Sequence, residues 1–358
     1  MIPEEVRQYL DKNPKAGRRM LVKKLGISEN LARFCVKAYK DNISDKIIDN
    51  NQALEKFVNR FSDQIRKSPI FIDVPYHNPF TGKVQEDAVL LLSDMHIGRK
   101  NTFLNPANNQ QELTYNFDIM VKQANRLVES MWKIISLLKS GYQIDRLWVF
   151  SLGDIVDNDF IFKGQPFFID LTIGDQIWKG VAVVADMFKS FLELFKEVRV
   201  VVVPGNHGRH TPRREASPAT SNFDYHFFRI MELMFRAEDR IKFDISPDYF
   251  YYPKIYNWRY MIHHGDDVYS WMSLPYYGIS RKSKARRNEF PYHIECIGHF
   301  HTSLVIPTSS QSYTIVNASW INKEIYAWEK FGILSKAEQI FFGVSPKRPR
   351  SWSFELEL

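Results

Sequence analysis

Five short segments rich in Asp, His and Asn carry the side chains that could do chemistry in this chain. The segments are Asp94-Met95-His96, Gly153-Asp154-Ile155-Val156-Asp157, Gly205-Asn206-His207, His263-His264-Gly265-Asp266 and Gly298-His299-Phe300-His301. Each follows a hydrophobic run of strand length. Carboxylate, imidazole and amide ligands in this number suit two divalent metal ions, and a pair of such ions most often hydrolyses phosphate esters.

The spacing within these segments favours a shared site. Asp94 and His96 lie two residues apart, so an extended backbone points both side chains to one side, and His299 and His301 repeat this spacing. Two cations held close together repel each other, so a carboxylate should bridge them. Asp154, which follows a glycine able to make a sharp turn, is the candidate. No thiolate accompanies these ligands, which argues against a purely structural zinc site.

In their order and in the residues they contain, the five motifs resemble those of the calcineurin-like metallophosphoesterase superfamily, over roughly residues 87–318. The resemblance implies two divalent metal ions as cofactors. We expect manganese, with iron, zinc or magnesium as alternatives. One ion would bind Asp94, His96, Asp154 and His301, and the other would bind Asp154, Asn206, His264 and His299.

The resemblance also implies roles for two residues that bind no metal. His207 would be the general acid that protonates the leaving oxygen, and a histidine titrates in the range that this task needs. Asp157 would hold the imidazole of His207 in position. The nucleophile would be a hydroxide that bridges the metal ions and attacks phosphorus in line with the leaving group.

Departures from the family pattern narrow the substrate class. Many members place an acid directly after the motif histidine, where this chain has Gly208. The protein Ser/Thr phosphatases carry Arg-Gly after the second motif and Arg before the third, where this chain has Asn158-Asp159 and Pro204. The missing arginines argue against a phosphoprotein phosphatase. Arg209 could replace one of them as a contact to the substrate phosphate, and a plain surface charge is the alternative.

Strands and helices alternate from residue 87 onward, and these elements must position the motifs. Hydrophobic runs predict strands at 88–93, 146–152, 198–203, 259–263, 294–297 and 313–316, and helical periodicity predicts helices at 115–138, 175–194 and 222–235. Chemistry in an α/β sheet collects beyond the carboxyl ends of the strands, where every motif lies. We therefore expect an α/β domain over 87–345 with the layered metallophosphoesterase fold, in which two packed β-sheets are flanked by helices. An insert is expected around 211–292 and a C-terminal tail at 346–358.

Residues 1–42 predict a small helical domain with a helix-turn-helix-like pattern. Helices are expected at 4–10, 18–25 and 29–39, with a turn at 26–28 in which Ser28 caps the last helix. The predicted inner face consists of Leu21, Leu25, Ile27, Leu31 and Phe34. The outward, DNA-binding side chains would be Asn30, Arg33 and Lys37. A plain packing or oligomerisation module is the open alternative, and residues 43–86 are predicted as a connector.

Basic residues are clustered in a chain of net charge +7. One cluster lies in the N-terminal unit, and another is the run RKSKARR at residues 281–287. Such clusters favour a polyanionic partner. We expect Lys282, Lys284 and Arg286 to contact phosphate groups of a nucleic acid, DNA in particular.

These observations lead to one functional prediction and two alternatives. The prediction is a two-metal phosphodiesterase acting on nucleic acid, a DNA exonuclease or endonuclease that resembles the nuclease and bacteriophage-type branch of the superfamily. The first alternative is a phosphatase or phosphodiesterase for nucleotides or other small esters. The second is a DNA-binding accessory protein that uses the fold as a scaffold, although every metal-ligand position is filled. A homo-oligomer and an ATPase partner stay open.

The location of the protein follows from what the sequence lacks. No apolar run reaches the length of a membrane span, and the charged N-terminus has no apolar signal core. Cys35 and Cys296 have no metal-type spacing, so neither a disulfide framework nor a zinc knuckle is predicted. We expect a cytoplasmic protein with no membrane partner.

Overall fold

The computed structural model describes residues 2–13, 16–40, 55–60, 62–63, 83–211, 217–269, 275–309, 312–332 and 334–358. The chain divides into two units, Met1–Pro79 and Phe80–Leu358. Most of the predicted connector, 43–86, lies outside the described residues. Its last residues, 84–86, already belong to the first strand of the larger unit.

Three helices form the N-terminal unit: α1 (Glu4–Lys12), α2 (Arg18–Leu25) and α3 (Glu29–Lys40). Gly26 ends α2 in the left-handed conformation with a φ of 64°, which a glycine adopts at little cost. The hydroxyl of Ser28 accepts a hydrogen bond from the backbone N–H of Leu31 at 3.3 Å and so caps α3. The three helices lie in the ranges that the sequence predicts.

The inner face of α3 differs from the prediction. The small residues Ala32 and Cys35 are buried and pack with Leu21, while Leu31 and Phe34 are 36% and 49% exposed. Small side chains let two helices approach closely. The packed face of α3 is therefore formed by Ala32 and Cys35, each of which directly follows one of the larger apolar residues, Leu31 and Phe34. The exposed side chains of α3 include Asn30, Arg33 and Lys37.

The larger unit contains two β-sheets, and the first has six strands. They are β1 (Val84–Leu92), β4 (Tyr142–Ser151), β5 (Glu197–Val202), β6 (Ile241–Ile245), β13 (Glu338–Val344) and β14 (Ser353–Glu357), in the spatial order β14-β13-β1-β4-β5-β6. Strands β1, β4, β5 and β6 are parallel. Strands β13 and β14 continue the sheet in antiparallel pairing beyond β1.

The second sheet follows the order β11-β12-β10-β9-β7. Its strands are β7 (Phe250–Tyr251), β9 (Trp258–His263), β10 (Ile294–Ile297), β11 (Leu304–Ser309) and β12 (Ser312–Val316), and β8 (Lys254–Ile255) also pairs with β9. Strands β9, β10 and β12 are parallel. A separate hairpin consists of β2 (Asn101–Asn105) and β3 (Gln110–Tyr115).

A hydrophobic core lies between the two sheets. Tyr260 of β9 packs against Phe150 of β4 and Phe342 of β13, with ring centroids 5.6 and 6.3 Å apart. All three side chains are fully buried. The predicted fold class, an α/β structure with two packed sheets and flanking helices, is confirmed.

Three long helices cover the other face of the first sheet. They are α4 (Phe117–Leu138), α5 (Ile173–Leu194) and α6 (Phe223–Met234), and they share a second core with that sheet. The side-chain oxygens of Asn116 and Asn222 cap α4 and α6 by accepting backbone N–H groups at 2.9 and 2.8 Å. Two further helices are α7 (Pro275–Glu289) and α8 (Ile325–Phe331). Among the described residues, no helix combines the length and apolar character needed to cross a membrane.

Two segments that the sequence analysis set apart from the main domain contribute strands to its sheets. The segment 211–292, expected as an insert, supplies β6 to the first sheet and β7, β8 and β9 to the second, so it is part of the core fold. Residues 346–358, expected as a tail, contain β14, and Trp352 packs on Phe341 and donates a hydrogen bond to Glu86 at 2.6 Å. These residues belong to the sheet because β14 pairs with β13. Their short alternating sequence did not by itself predict this strand.

The contribution of β14 can be measured through Leu356, which is 2% exposed in the core beneath the helices. We expect Leu356→Ala to lower the free energy of unfolding by about 2–5 kcal/mol, because it removes buried methyl groups and leaves a cavity. Glu355→Ala, at the exposed neighbouring position, is the matched control and should change it by less than about 0.5 kcal/mol. Equal urea midpoints for the two variants would show that these residues do not belong to the core.

Candidate metal centre

The candidate ligands lie at the carboxyl ends of neighbouring strands. Asp94 follows β1, Asp154 follows β4 and Asn206 follows β5, and these strands are parallel neighbours. His264 follows β9 and His299 follows β10, which are parallel neighbours in the second sheet. Because the two sheets pack face to face, their carboxyl ends bring five segments distant in sequence to one edge of the core.

The backbone at these strand ends is unusual. Most of the ligand candidates have a positive φ although none is a glycine: Asp94 (51°), His96 (48°), Asp154 (54°), His299 (69°) and His301 (54°). This left-handed conformation is uncommon for such residues, and it concentrates at functional sites. These residues redirect the backbone at the strand ends, where side chains from different strands meet.

Two glycines make this meeting possible. A Cβ atom at Gly205 would collide with the carboxylate of Asp154, and a Cβ atom at Gly298 would collide with that of Asp94. Each carboxylate therefore packs against the backbone of the neighbouring motif. These positions are glycines because the loops approach closely.

One cluster of donor atoms contains Asp94, His96 and His301. The Nε2 atoms of His96 and His301 lie 3.1 Å apart. Asp94 Oδ1 lies 3.3 Å from His301 Nε2 and 4.0 Å from His96 Nε2. All three residues are at most 5% exposed.

A second cluster contains Asp154, Asn206, His264 and His299. His264 Nε2 lies 2.9 Å from Asp154 Oδ2, 2.9 Å from Asn206 Oδ1 and 3.2 Å from His299 Nδ1. These four residues are the predicted ligands of the second ion. The structure thus groups all seven predicted ligands into two sets, and the bridging role of Asp154 stays a prediction.

The donor sets fit divalent metal ions. Donor atoms about 2.1 Å from one ion lie about 3.0–3.4 Å from each other in octahedral or tetrahedral geometry. Except for the 4.0 Å between Asp94 Oδ1 and His96 Nε2, the distances given for the two clusters are close to this range. Mixed oxygen and imidazole donors suit manganese, iron or zinc better than calcium.

Polar partners hold the imidazoles with a defined nitrogen toward each cluster. The Nδ1 atoms of His96 and His264 lie 2.8 Å from Asp157 Oδ1 and 2.9 Å from the Leu152 carbonyl. The Nδ1 atom of His301 contacts the carboxylate of Glu324. Each contact occupies Nδ1 with a proton and leaves Nε2 as the donor to a metal, which is how metal-binding histidines are commonly oriented.

The predicted pair of His207 and Asp157 is also close together. His207 Nδ1 lies 3.1 Å from Asp157 Oδ1 and 3.0 Å from its carbonyl oxygen. Burial alone would lower the pKa of His207, but the charges of Asp154 and Asp157 outweigh it and raise that pKa. Asp157 therefore contacts both His207 and the ligand candidate His96, a double role that the sequence did not indicate.

Two buried acids at the site were missed by sequence reasoning. Glu324, which directly precedes α8, contacts His301 from 23 residues away. Asp224, in the first turn of α6, accepts backbone N–H groups of Asp154 and Gly205, both at 2.9 Å, and so joins two ligand loops. Burial and the charge of Asp154 raise the pKa of Asp224 to about 6. Neither acid belongs to a short motif, so no local signal could have identified it.

The predicted phosphate contacts have different environments. Arg209 is buried beside the ligands and pairs with Asp266 at 2.8 Å, so it is not a plain surface charge. Lys282 and Arg286 both pair with Asp267, and a phosphate contact from either would require breaking that pair. Lys284 is exposed and is the strongest candidate of the three in the basic run.

A pocket of about 370 Å³ opens onto both donor clusters. Its lining includes His96, His299 and His301 together with His207. The pocket lining also contains side chains that no motif predicted, and Arg99 and Phe162 are among them. Substrate therefore has access to the metal ligands and to the candidate general acid from one cavity.

The comparison with protein families gave one match. The family model described as calcineurin-like phosphoesterase matches residues 88–303, more than half of the chain, and the chain belongs to this family. The comparison with curated proteins gave no match. Family membership and the converging ligands together identify a metal-dependent phosphoester hydrolase.

The comparison with solved structures found several similar chains. A Vps29 from Entamoeba histolytica complexed with zinc is 10% identical, with 75% of this chain and 98% of that chain covered and a TM-score of 0.31. A metallophosphoesterase from Sphaerobacter thermophilus is 15% identical, with coverages of 77% and 89% and a TM-score of 0.32. A predicted phosphoesterase from Streptococcus pneumoniae is 10% identical, with coverages of 76% and 98% and a TM-score of 0.31. Likeness at this level carries no argument about substrate.

The role of Glu324 can be tested through metal affinity. We expect Glu324→Ala to weaken Mn²⁺ binding by about 10- to 100-fold, because His301 loses the carboxylate that orients its ring. Isothermal titration calorimetry on the metal-free protein measures this directly. Glu329→Ala, at an exposed position of α8, is the control and should bind like the wild type. Equal affinities for both variants would contradict a role of Glu324 at the metal centre.

Proposed function

We propose that this calcineurin-like phosphoesterase hydrolyses phosphodiester bonds of nucleic acid and that DNA is its substrate. The observation that carries the proposal is a basic helix, α7, anchored to the loop that begins with the ligand candidate His264. A polyanion that binds this helix is held close to the metal centre rather than at a remote surface.

Several polar contacts fix α7 in place. Lys282 and Arg286 both pair with Asp267 of the loop. Arg286 also lies 3.6 Å from Glu295 of β10, and Ser283 donates a hydrogen bond to the same buried carboxylate. A helix held at three positions keeps its other side chains at defined places relative to the ligands.

Two of the remaining basic side chains of α7 are accessible. Arg281 and Lys284 are exposed, whereas Arg287 is half-buried and donates hydrogen bonds to Ser309 and Ser312. Cationic side chains on a helix bind phosphate groups without reading the base sequence. In our proposal α7 follows the backbone of the substrate, and Lys284 is one of its contacts.

The N-terminal unit offers a second candidate surface. Asn30, Arg33 and Lys37 are exposed and follow each other at intervals of three and four residues along α3, so they share one face of the helix. A helix with such a face fits the major groove of DNA. The exposed ring of Phe34 on the same helix favours the alternative, in which this unit binds a protein, either a second copy of the chain or an ATPase.

The site residues have separable tasks in the reaction. Bound divalent cations activate water and neutralise phosphate oxygens. His207 provides the proton for the leaving oxygen, and Asp157 holds its Nδ1 atom so that Nε2 remains for proton transfer. Although burial opposes it, the charges of Asp154 and Asp157 raise the pKa of His207, which favours its protonated form.

Cleavage assays test both the substrate and the acid. With Mn²⁺ present, we expect the protein to cut labelled single- or double-stranded DNA, and His207→Ala to lower kcat by about 10²- to 10⁴-fold because the leaving oxygen loses its proton donor. His226→Ala, at an exposed position of α6, serves as the control and should retain full activity.

Two results of these assays would contradict the proposal. If neither form of DNA is cut while bis(p-nitrophenyl) phosphate is hydrolysed, the nucleic-acid substrate is wrong and a small phosphate ester takes its place. If DNA is bound without any ester being hydrolysed, the protein is a binding scaffold.

The role of α7 is tested by removing charge from its exposed face. We expect the double variant Arg281→Ala/Lys284→Ala to bind DNA more weakly and to reduce the slope of log affinity against log salt by about 0.9 for each lost phosphate contact. Lys122→Ala/Lys133→Ala removes the same charge from exposed positions of α4 and is the matched control. Hydrolysis of bis(p-nitrophenyl) phosphate should be equal in both. Equal salt slopes for the two double variants would exclude α7 from the DNA-binding surface.

A further inference from the structure

The pocket wall contains an arginine that the family motifs do not include. Arg99 lies three residues after His96, and its backbone N–H donates to the His96 carbonyl at 2.9 Å, which fixes the turn that carries it. Its guanidinium lies over the ring of Phe168, with 5.3 Å between the guanidinium carbon and the ring centroid. Arg99 is thus supported from two sides at the edge of the pocket.

The hydrogen-bonding capacity of Arg99 is only partly used. Its Nη1 atom lies 3.7 Å from Asp157 Oδ2, which is an ion pair longer than a hydrogen bond. Its Nε–H is buried and finds no hydrogen-bond acceptor among the described residues. A buried donor without an acceptor is costly, so the protein itself does not satisfy this guanidinium fully. The Arg99 side chain is 20% exposed and lines the pocket, where a phosphate oxygen would accept hydrogen bonds from it.

An exposed aromatic ring stands next to the candidate general acid. The ring of Phe162 lines the pocket and is 38% exposed, with its centroid 4.9 Å from that of His207. Its backbone N–H donates to Gln165 Oε1 at 3.0 Å, and Gln165 Nε2 donates in turn to the carbonyl oxygen of Asp157. The position of Phe162 is therefore tied to the residue that orients His207.

The location of Phe162 determines which part of a substrate it meets. A general acid protonates the oxygen that leaves, so the leaving group lies beside His207 and therefore beside Phe162. An exposed aromatic ring stacks on nucleobases with little dependence on their identity. Arg99, which lines the same pocket, is placed for the phosphate itself.

We propose that Arg99 and Phe162 form a nucleotide subsite next to His207. Arg99 donates hydrogen bonds to an oxygen of the scissile phosphate, and Phe162 stacks on the base of the leaving nucleoside. This inference rests on the proposed function, because it specifies the leaving group as a nucleoside with an accessible, unpaired base.

A binding experiment tests the subsite without turnover of DNA. Calorimetry on the Mn²⁺-loaded full chain compares deoxyadenosine monophosphate with deoxyribose phosphate, which lacks the base. We expect the wild type to prefer the nucleotide by about five- to hundredfold, the range measured for stacking of one base on an aromatic side chain. Phe162→Ala should abolish this preference and leave the affinity for deoxyribose phosphate unchanged.

Variants at Arg99 should give a different pattern. Arg99→Ala is expected to weaken the binding of both ligands by the same factor, about tenfold or more, because a charge-assisted contact to phosphate is lost. Arg99→Lys should recover part of that loss. Phe167→Ala, in the same loop and 87% exposed, is the control and should preserve the wild-type preference. Thermal melting of each variant with Mn²⁺ verifies that the fold is retained.

Specific outcomes overturn the proposal. If Phe162→Ala keeps the preference for the nucleotide, the base does not stack there. If Arg99→Ala and Arg99→Lys both bind the ligands like the wild type, the phosphate contact is wrong. The calorimetry tests the subsite independently of DNA cleavage. A protein that cuts no DNA can still bind deoxyadenosine monophosphate more tightly than deoxyribose phosphate, or fail to do so.

Discussion

The burial of two carboxylates at the shared edge of the sheets is the constraint on which the rest of the structure depends. Asp94 and Asp154 are at most 1% exposed, and an uncompensated charge in such a place costs on the order of several kcal/mol. Although burial opposes it, neighbouring imidazoles lower the pKa of both groups, so both stay ionised. Negative charge packed among imidazole nitrogens creates a place for cations. The backbone adopts strained left-handed conformations at the strand ends, and these conformations bring the groups together.

A second set of buried acids supports this centre without belonging to the predicted ligands. Asp157 contacts the imidazoles of His96 and His207, and Glu324 contacts that of His301. Asp224 joins the loops after β4 and β5 through their backbone N–H groups. The candidate ligands and the candidate general acid are therefore oriented by the same few carboxylates. Asp157 contacts one of each, His96 and His207, through a single side chain.

The surfaces that we propose for substrate binding are attached to the same loops. Helix α7 is tied to Asp267, close to the ligand candidate His264, and the segment that carries Phe162 is tied to Asp157 through Gln165. Short contacts of this kind hold both segments in a fixed position relative to the candidate ligands. The fold thus places a basic helix and a pocket wall relative to the metal centre through short polar contacts rather than through long flexible connections.

Local patterns in the sequence determined the type of the main elements, the fold class and the candidate ligands, because hydrophobic runs, glycine turns and motif order act over a few residues. The three N-terminal helices lie where their pattern predicts them for the same reason. Tertiary structure alone decided the remainder. Glu324 and Asp224 meet the site through contacts across 23 and 70 residues, and β14 joins the sheet because β13 offers it a free edge. Such pairings depend on which surfaces the folded core brings together, and no short window of sequence contains that information.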